Sequence, residues 1–433
     1  MFTHSIDTLK NGLKVLRVEM PGVKSVTAMI LANTGSRFER PKEEGIAHFL
    51  EHMVFKGTKK YPDPQILAST IDGIGADFNA FTSKEYTGYY VKSASQHIDT
   101  ALDVLSDMLL QPLLKQEDID REKGVIIEEI NMYQDNPMHL VDNVFEQMFF
   151  AGSGLSHDII GSKMTVSQLE KRHFQQFLQQ WYGTANLVLV LAGDKKKISN
   201  PKMLETVKEA FSKSTGVRAR DKVAMKRLLP DKTPVSSQQV SVTYKKTEQA
   251  HLIMGWPSIP RGHKDRYVQA ILGVILGGTM SSRLFSEVRE KRGLCYYIRA
   301  TPDYYHDAGV FSVSAGVDPN RAHEALKTIR EESLALASGE KPVTDEELTR
   351  AIEYATGTLV LGLEDSRSVA EFYGMKETLL GEITDPVETM NQLKKVTKQD
   401  VQRLAKKVIV DIHTRLAIVG PFKGGSAFKK YTT

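Results

Sequence analysis

Two histidines and a glutamate are grouped in the run His48-Phe49-Leu50-Glu51-His52. In an α-helix, side chains four residues apart lie on one face, so both imidazoles could bind the same metal ion. Glu51 precedes His52 directly and is poorly placed to be a third ligand of that ion. A carboxylate at this position is better suited to act as a general base toward a water molecule. The third ligand must therefore come from another part of the chain.

The segment Asp118–Met132, DIDREKGVIIEEINM, contains three candidates for the third ligand. Its acidic residues come early and its apolar residues recur at helical spacing, which predicts a helix with one buried face. The candidates are Glu122, Glu128 and Glu129. Glu122 and Glu129 are two helical turns apart and share a face, whereas Glu128 is rotated by about 100° from Glu129. Helix geometry alone leaves the choice among them open.

The composition is typical of a globular protein and excludes some kinds of site. Of the 433 residues, 41% are hydrophobic and 25% are charged, which suits two or three domains with full cores. A net charge of +4 gives no reason to expect nucleic acid or a membrane as a partner. Cys295 is the single cysteine, so neither an intramolecular disulfide nor a cysteine-based zinc site can form. Neither a signal peptide nor a membrane-spanning run is evident, so we expect a cytoplasmic chain.

The order of predicted elements in the first half of the chain recurs in the second half, offset by roughly 220 residues. In each half, a strand-like run precedes a helix, an alternating stretch and a second helix. This repeat predicts an α+β fold of two homologous α/β-sandwich units in tandem, each with an antiparallel-rich sheet covered by helices. We expect a metal-binding unit at 1–215, a linker at 216–239 that is rich in charge, Pro and Ser, and a degenerate unit at 240–433.

The second copy of the repeat lacks the metal-binding side chains. At an offset of 221 (269 − 48), His48 corresponds to Gln269, and the next two motif positions correspond to Leu272 and Gly273. Shifting the alignment by one or two residues does not bring a histidine into register. The first unit alone is therefore expected to hold the metal.

The run H-x-x-E-H has the form of the inverted zinc-peptidase motif. The chain resembles the pitrilysin/insulysin-type (M16) zinc peptidases, in particular half-length members such as the β subunit of mitochondrial processing peptidase and small bacterial peptidases. In that family a ligand glutamate follows the motif by roughly 75–80 residues, with a second glutamate seven residues before it. Here 129 − 52 is 77 and 129 − 122 is 7. The resemblance therefore implies that His48, His52 and Glu129 bind one Zn²⁺ per chain and that Glu122 supports them.

Two further stretches carry the resemblance. The run RLFSEVREKRGLCYYI at 283–298 is similar to the C-terminal signature of the family, in which an arginine and a tyrosine seven residues apart reach the active site. Strand alternation alone leaves Tyr296 and Tyr297 equally eligible, and the resemblance implies Arg289 and Tyr296. Asn79 and Ala80 match the edge-strand motif that binds the substrate backbone.

The resemblance implies a zinc-dependent endopeptidase that cleaves extended, unfolded peptides. Glu51 would be the general base, Tyr296 would stabilise the oxyanion and Arg289 would hold the substrate backbone. Family members build a chamber from four α+β units, and this chain carries two of them. We therefore expect a homodimer, with a heterodimer containing a related subunit as the alternative. The other functions to consider are a non-catalytic scaffold or assembly subunit and a dedicated presequence-type processing peptidase.

Overall fold

The computed structural model describes residues 2–212 and 233–432, which form two sheets, one in each of two units. The strands of the first sheet are, in chain order, β1 (Thr3–Thr8), β2 (Lys14–Met20), β3 (Ser25–Ala32), β4 (Asp77–Thr82), β5 (Thr87–Ala94) and β6 (Leu187–Asp194). Across the sheet their order is β1-β2-β6-β3-β5-β4, and every pair is antiparallel except β2 with β6. β4 is therefore an edge strand.

The second sheet repeats the first without the equivalent of β1. Its strands are β7 (Val240–Tyr244), β8 (Ala250–Ser258), β9 (Cys295–Tyr304), β10 (Gly309–Val317) and β11 (Arg415–Gly420). Across the sheet their order is β7-β11-β8-β10-β9, with β7 and β11 parallel and the other pairs antiparallel. The prediction of an α+β fold with two homologous, antiparallel-rich units is confirmed.

Helices cover both sheets. In the described part of the chain they are α1 (Ile46–Met53), α2 (Pro64–Asp72), α3 (Ile98–Leu110), α4 (Gln116–Asp135), α5 (Pro137–Phe149), α6 (Lys163–Gln168), α7 (Lys171–Trp181), α8 (Lys195–Ile198), α9 (Lys202–Ala210), α10 (Arg266–Gly273), α11 (Ala322–Ser338), α12 (Asp345–Gly362), α13 (Ser366–Leu380), α14 (Pro386–Lys394) and α15 (Lys398–Val408). Among these described helices, none is both long enough and apolar enough to cross a membrane.

The central strands of the first sheet are buried on both faces. β3 reads SVTAMILA and β6 reads LVLVLAGD, and seven of the eight residues in each are buried. Such nearly continuous apolar runs are expected where helices cover both faces of a sheet. β3 packs against α3 and also against α13. By contrast, every residue of β1 is exposed except one.

The two units are interleaved in the sequence, which differs from the contiguous units predicted at 1–215 and 240–433. The first unit comprises 1–130, 157–228 and 360–385, and the second comprises the remaining 131–156, 229–359 and 386–433. The predicted linker at 216–239 lies partly outside the described residues, which resume at position 233.

Two helices account for this interleaving. α5, from the first half of the chain, packs on β8 and β11, and α13, from the second half, packs on β3 and β6. A Cβ atom at Gly374 would lie 2.6 Å from Leu31 Cδ1 and 2.8 Å from Val190 Cγ2, so the missing side chain lets α13 approach the strands closely. The sequence did not reveal this exchange because an amphipathic pattern shows that a helix covers a sheet but not which sheet it covers.

A fragment of residues 1–215 tests the interleaving. We expect it to unfold without a sharp transition and to bind the dye ANS, because α13 is missing and the apolar surface of β3 and β6 stays uncovered. Thermal melting followed by circular dichroism, together with dye fluorescence, measures both properties against the full chain. Adding a peptide of residues 360–385 should reduce the dye signal. A cooperative transition of the fragment alone, without dye binding, would contradict the arrangement.

Candidate metal centre

Helix α1 begins at a backbone position that only a small residue can occupy. Gly45 precedes the helix with φ of 93°, in the left-handed region that glycine tolerates best. A Cβ atom there would lie 2.5 Å from the carbonyl oxygen of Ile160. The buried carboxylate of Glu39 accepts hydrogen bonds of 2.8 Å from the backbone N–H groups of Gly45 and Ala47. These bonds satisfy N–H groups that a helix otherwise leaves unpaired at its start, and they hold α1 in place.

The side chains of His48 and His52 converge on Glu129 of α4. Nε2 of His48 lies 3.7 Å from Oε1 of Glu129, and Nε2 of His52 lies 3.6 Å from Oε2. Both distances exceed those of hydrogen bonds, but they approach the roughly 3.4 Å that separates two ligand atoms bound tetrahedrally at about 2.1 Å. Two imidazole nitrogens and a carboxylate oxygen are a donor set of catalytic zinc sites, so the three residues fit such an ion.

The protonation of His48 also suits a metal ligand. Burial, together with the neighbouring His52, lowers the pKa of His48 to about 3, so its imidazole is neutral at physiological pH. The two rings lie with their centroids 4.7 Å apart. Nδ1 of His48 is buried and has no hydrogen-bond partner among the described residues.

Glu122 orients the second imidazole. Its Oε1 lies 3.0 Å from Nδ1 of His52, and its Oε2 accepts a 2.7 Å hydrogen bond from Nζ of Lys56. Burial by itself raises the pKa of Glu122. The hydrogen bonds from His52 and Lys56 outweigh this effect and hold that pKa below its usual range. A charged carboxylate on Nδ1 keeps the proton there and leaves the Nε2 lone pair directed toward Glu129.

Glu51 lies on the same face of α1 but outside the group formed by His48, His52 and Glu129. Its Oε2 accepts a 2.5 Å hydrogen bond from the hydroxyl of Thr82, the last residue of β4. Burial raises the pKa of Glu51, and the hydrogen bond from Thr82 opposes that shift. Glu51 is therefore a carboxylate with increased basicity, which suits proton transfer.

The predicted substrate-binding residues Asn79 and Ala80 lie on β4, against which α1 packs. Asn79 is exposed, and its Oδ1 accepts a 2.8 Å hydrogen bond from the backbone N–H of Ala80. In the described residues, β4 pairs with β5 on one side and with no strand on the other. The structure thus joins the candidate metal-binding helix to a strand with an available edge.

The predicted pair Arg289 and Tyr296 lies in the second unit. In the pairing of β9 with β10, Tyr297 and Cys295 face consecutive residues of β10, so Tyr296 between them is the extra residue of a β-bulge. The Tyr296 side chain is 73% exposed. The guanidinium of Arg289 lies 5.8 Å from the centre of the Tyr296 ring. Tyr297, by contrast, is half-buried with its hydroxyl 3.1 Å from Nδ1 of His251. Of the two tyrosines, Tyr296 is therefore the one whose side chain is exposed.

In the second unit, the positions that correspond to the motif are part of the core. Gln269 is fully buried, and its Oε1 accepts a 2.5 Å hydrogen bond from the hydroxyl of Ser258. Leu272 is also fully buried. A Cβ atom at Gly273 would lie 3.2 Å from Pro302 Cδ, which leaves little space for a larger residue. This helix packs in the core as α1 does, but these three positions carry no metal-binding side chain.

Sequence reasoning missed the roles of Glu39, Lys56 and Thr82. Lys56 lies four residues after His52. This spacing could have suggested that both side chains contact the same residue, Glu122. Thr82 ends a predicted strand, but nothing local indicates that its hydroxyl reaches Glu51, which is 31 residues away in sequence. Glu39 lies in the loop before α1. Its carboxylate accepts hydrogen bonds from N–H groups at the start of the helix, although Gly45 and not Glu39 occupies the N-cap position.

The chain matches family profiles along both halves. Residues 14–163 match the family described as insulinase (peptidase family M16), and residues 168–354 match the family described as peptidase M16 inactive domain. The second description agrees with the loss of metal-binding side chains in the second unit.

Relatives cover nearly the whole chain. It is 36% identical to an uncharacterized zinc protease of Streptomyces coelicolor, over 97% of this chain and 90% of the relative. It is 33% identical to an uncharacterized zinc protease of Bacillus subtilis, over 96% and 97% respectively. A crystal structure of a protease from Helicobacter pylori has the same fold, with a TM-score of 0.88 at 23% identity over 97% of this chain and 100% of that chain. These matches confirm the resemblance found in the sequence, and the chain belongs to the insulinase family of peptidases, M16.

Proposed function

We propose that this protein is a zinc-dependent endopeptidase that cleaves extended peptides. The observation that carries the proposal is the convergence of the His48 and His52 Nε2 atoms on the carboxylate of Glu129, next to a second carboxylate, Glu51, that is held against an edge strand. The relatives in Streptomyces coelicolor and Bacillus subtilis are named zinc proteases, which supports zinc as the ion. We propose one Zn²⁺ per chain, held by these two histidines and Glu129.

Proton transfer is the task of Glu51. A bound Zn²⁺ supplies Lewis-acid chemistry, because it acidifies water and polarises a carbonyl group. The Glu51 carboxylate accepts the proton of the attacking water and later gives it to the leaving amine. Its raised pKa, which follows from burial, brings its basicity closer to that needed at neutral pH. Glu122 meanwhile keeps His52 in one tautomer through the bond to Nδ1.

We propose that the peptide substrate pairs with the available edge of β4. Asn79 and Ala80 would bind its backbone there, as in other cases of strand addition. Such pairing requires an extended segment, so a folded protein would be a poor substrate. In this proposal Arg289 holds the substrate backbone and the exposed hydroxyl of Tyr296 stabilises the oxyanion.

A non-catalytic scaffold is the less favoured alternative. A structural subunit has no need for a buried Glu122 that is charged and directed at an imidazole, because burying a charge is costly. A dedicated presequence-processing peptidase would use the same residues for the chemistry. A peptide-library cleavage profile distinguishes it from a general peptidase, since a processing enzyme cuts few sequences.

Replacing Glu51 by Gln tests the general base. We expect kcat for a quenched fluorescent peptide to fall by about 10²–10⁴-fold, because the amide cannot accept the proton. Zinc content, measured by mass spectrometry of the metal, should remain that of the wild type. Removing zinc with 1,10-phenanthroline should abolish wild-type cleavage, and added Zn²⁺ should restore it. Undiminished cleavage by the Glu51→Gln protein would refute the assignment of the base.

Glu122→Gln tests the support of the metal ligands. Loss of the charge weakens the hold on the Nδ1 proton of His52, so we expect zinc affinity to fall by about 10–100-fold in competition with a chromogenic chelator. The matched control is Glu128→Gln on the same helix, where the side chain is exposed and zinc affinity should not change. Equal affinities for the Glu122→Gln and wild-type proteins would contradict the role.

We further propose that two copies of the chain form the active enzyme. The proposal rests on the presence of the metal-ligand set and the Arg289/Tyr296 pair in one chain, so no second kind of subunit is needed. Light scattering of the purified protein should give twice the 48.4 kDa of one chain, and the same sample should cleave peptides. A monomer that stays inert until another polypeptide is added would contradict the homodimer.

A further inference from the structure

We propose that Thr82 is a positioning residue for Glu51: its hydroxyl holds the carboxylate in the orientation in which it exchanges a proton. The inference rests on the proposed function, since it gives Thr82 a role only if Glu51 is the general base. The Oγ1 atom of Thr82 donates to Oε2 of Glu51 at 2.5 Å. A hydroxyl that donates to a carboxylate forms a charge-assisted hydrogen bond, which is stronger than one between neutral groups.

Thr82 is the single hydrogen-bond partner of Glu51 within the described part of the chain. One carboxylate oxygen, Oε2, is therefore anchored, and the other, Oε1, stays available for proton exchange. An unanchored glutamate rotates about three side-chain bonds and spends much of its time away from the reacting atoms. A single strong hydrogen bond removes most of that freedom before the substrate arrives, which is how preorganised sites gain rate.

The backbone of Thr82 is itself held firmly. Thr82 pairs with Thr87 across the β4–β5 hairpin, and the N–H of Ser83 donates to the carbonyl of Tyr86 at 2.8 Å. The buried hydroxyl of Thr87 donates in turn to the carbonyl of Thr34 at 3.0 Å. The donor that faces Glu51 therefore sits at the closed end of a hairpin and is not free to follow the carboxylate.

The same strand bears the proposed substrate edge. Asn79 and Thr82 lie three residues apart on β4, a distance of roughly 10 Å along a strand. The peptide would pair with backbone groups of β4, whereas the Thr82 hydroxyl is directed at Glu51. Loss of this hydroxyl should therefore affect the chemical step and leave peptide binding unchanged, which separates a positioning role from a general weakening of the strand.

Three variants test the inference in the full-length, zinc-loaded protein. Thr82→Val keeps the shape but removes the donor, and we expect kcat to fall by about 10–100-fold with KM unchanged. Thr82→Ser retains the hydroxyl and should recover most of the lost kcat. Thr243→Val makes the same change at a half-buried strand position of the second sheet and should match the wild type. Zinc content and melting temperature should be the same in all of these proteins.

A double-mutant comparison shows whether Thr82 acts through Glu51. If it does, adding Thr82→Val to Glu51→Gln causes no further loss of kcat. Crystal structures give a readout independent of activity: the Glu51 side chain should be disordered in Thr82→Val and ordered in Thr82→Ser.

Two results would overturn the role of Thr82. The first is wild-type kcat in Thr82→Val, and the second is a further, multiplicative loss in the double variant. Absence of metal-dependent cleavage in the wild-type protein would instead overturn the proposed function, and this inference with it.

Discussion

The fixed position of helix α1 is the constraint on which the rest of the candidate site depends. His48, Glu51 and His52 all extend from this short helix, so a small rotation of it would displace all three together. Its other face is buried in the core, and Glu39 and Gly45 hold its start. Metal ligands must lie within about 0.2 Å of their ideal distances. Packing of α1 against β4 and the hydrogen bonds from its start to Glu39 limit such a rotation.

Around this helix, two carboxylates acquire different chemical characters from their surroundings. Glu122 receives hydrogen bonds from His52 and from Lys56, which outweigh the effect of burial and keep it charged. For Glu51 the effect of burial is larger than that of the hydrogen bond from Thr82, so its pKa rises. The first is suited to hold an imidazole and the second to exchange a proton. Environments that drive two nearby carboxyl groups apart in pKa are a common way to assign such roles.

The two units share a sheet topology but differ in the residues at the motif positions. Both sheets have the same strand order after β1, and each is covered by a helix from the other half of the chain. In the second unit, the buried residues Gln269 and Leu272 stand at the positions of His48 and Glu51. Tyr296, at the register shift between β9 and β10, is instead exposed.

The sequence by itself determined the local features: the helix from Ile98 to Leu110, the strand that begins at Ser25 and the spacing of His48 and His52. These follow from periodicity, which is a property of neighbouring residues. The third ligand was chosen by resemblance, because helix geometry left three glutamates open. Only the tertiary structure decided which sheet α5 and α13 cover and that Thr82 reaches Glu51. Contacts between distant segments depend on how whole elements pack, and no local pattern encodes that packing.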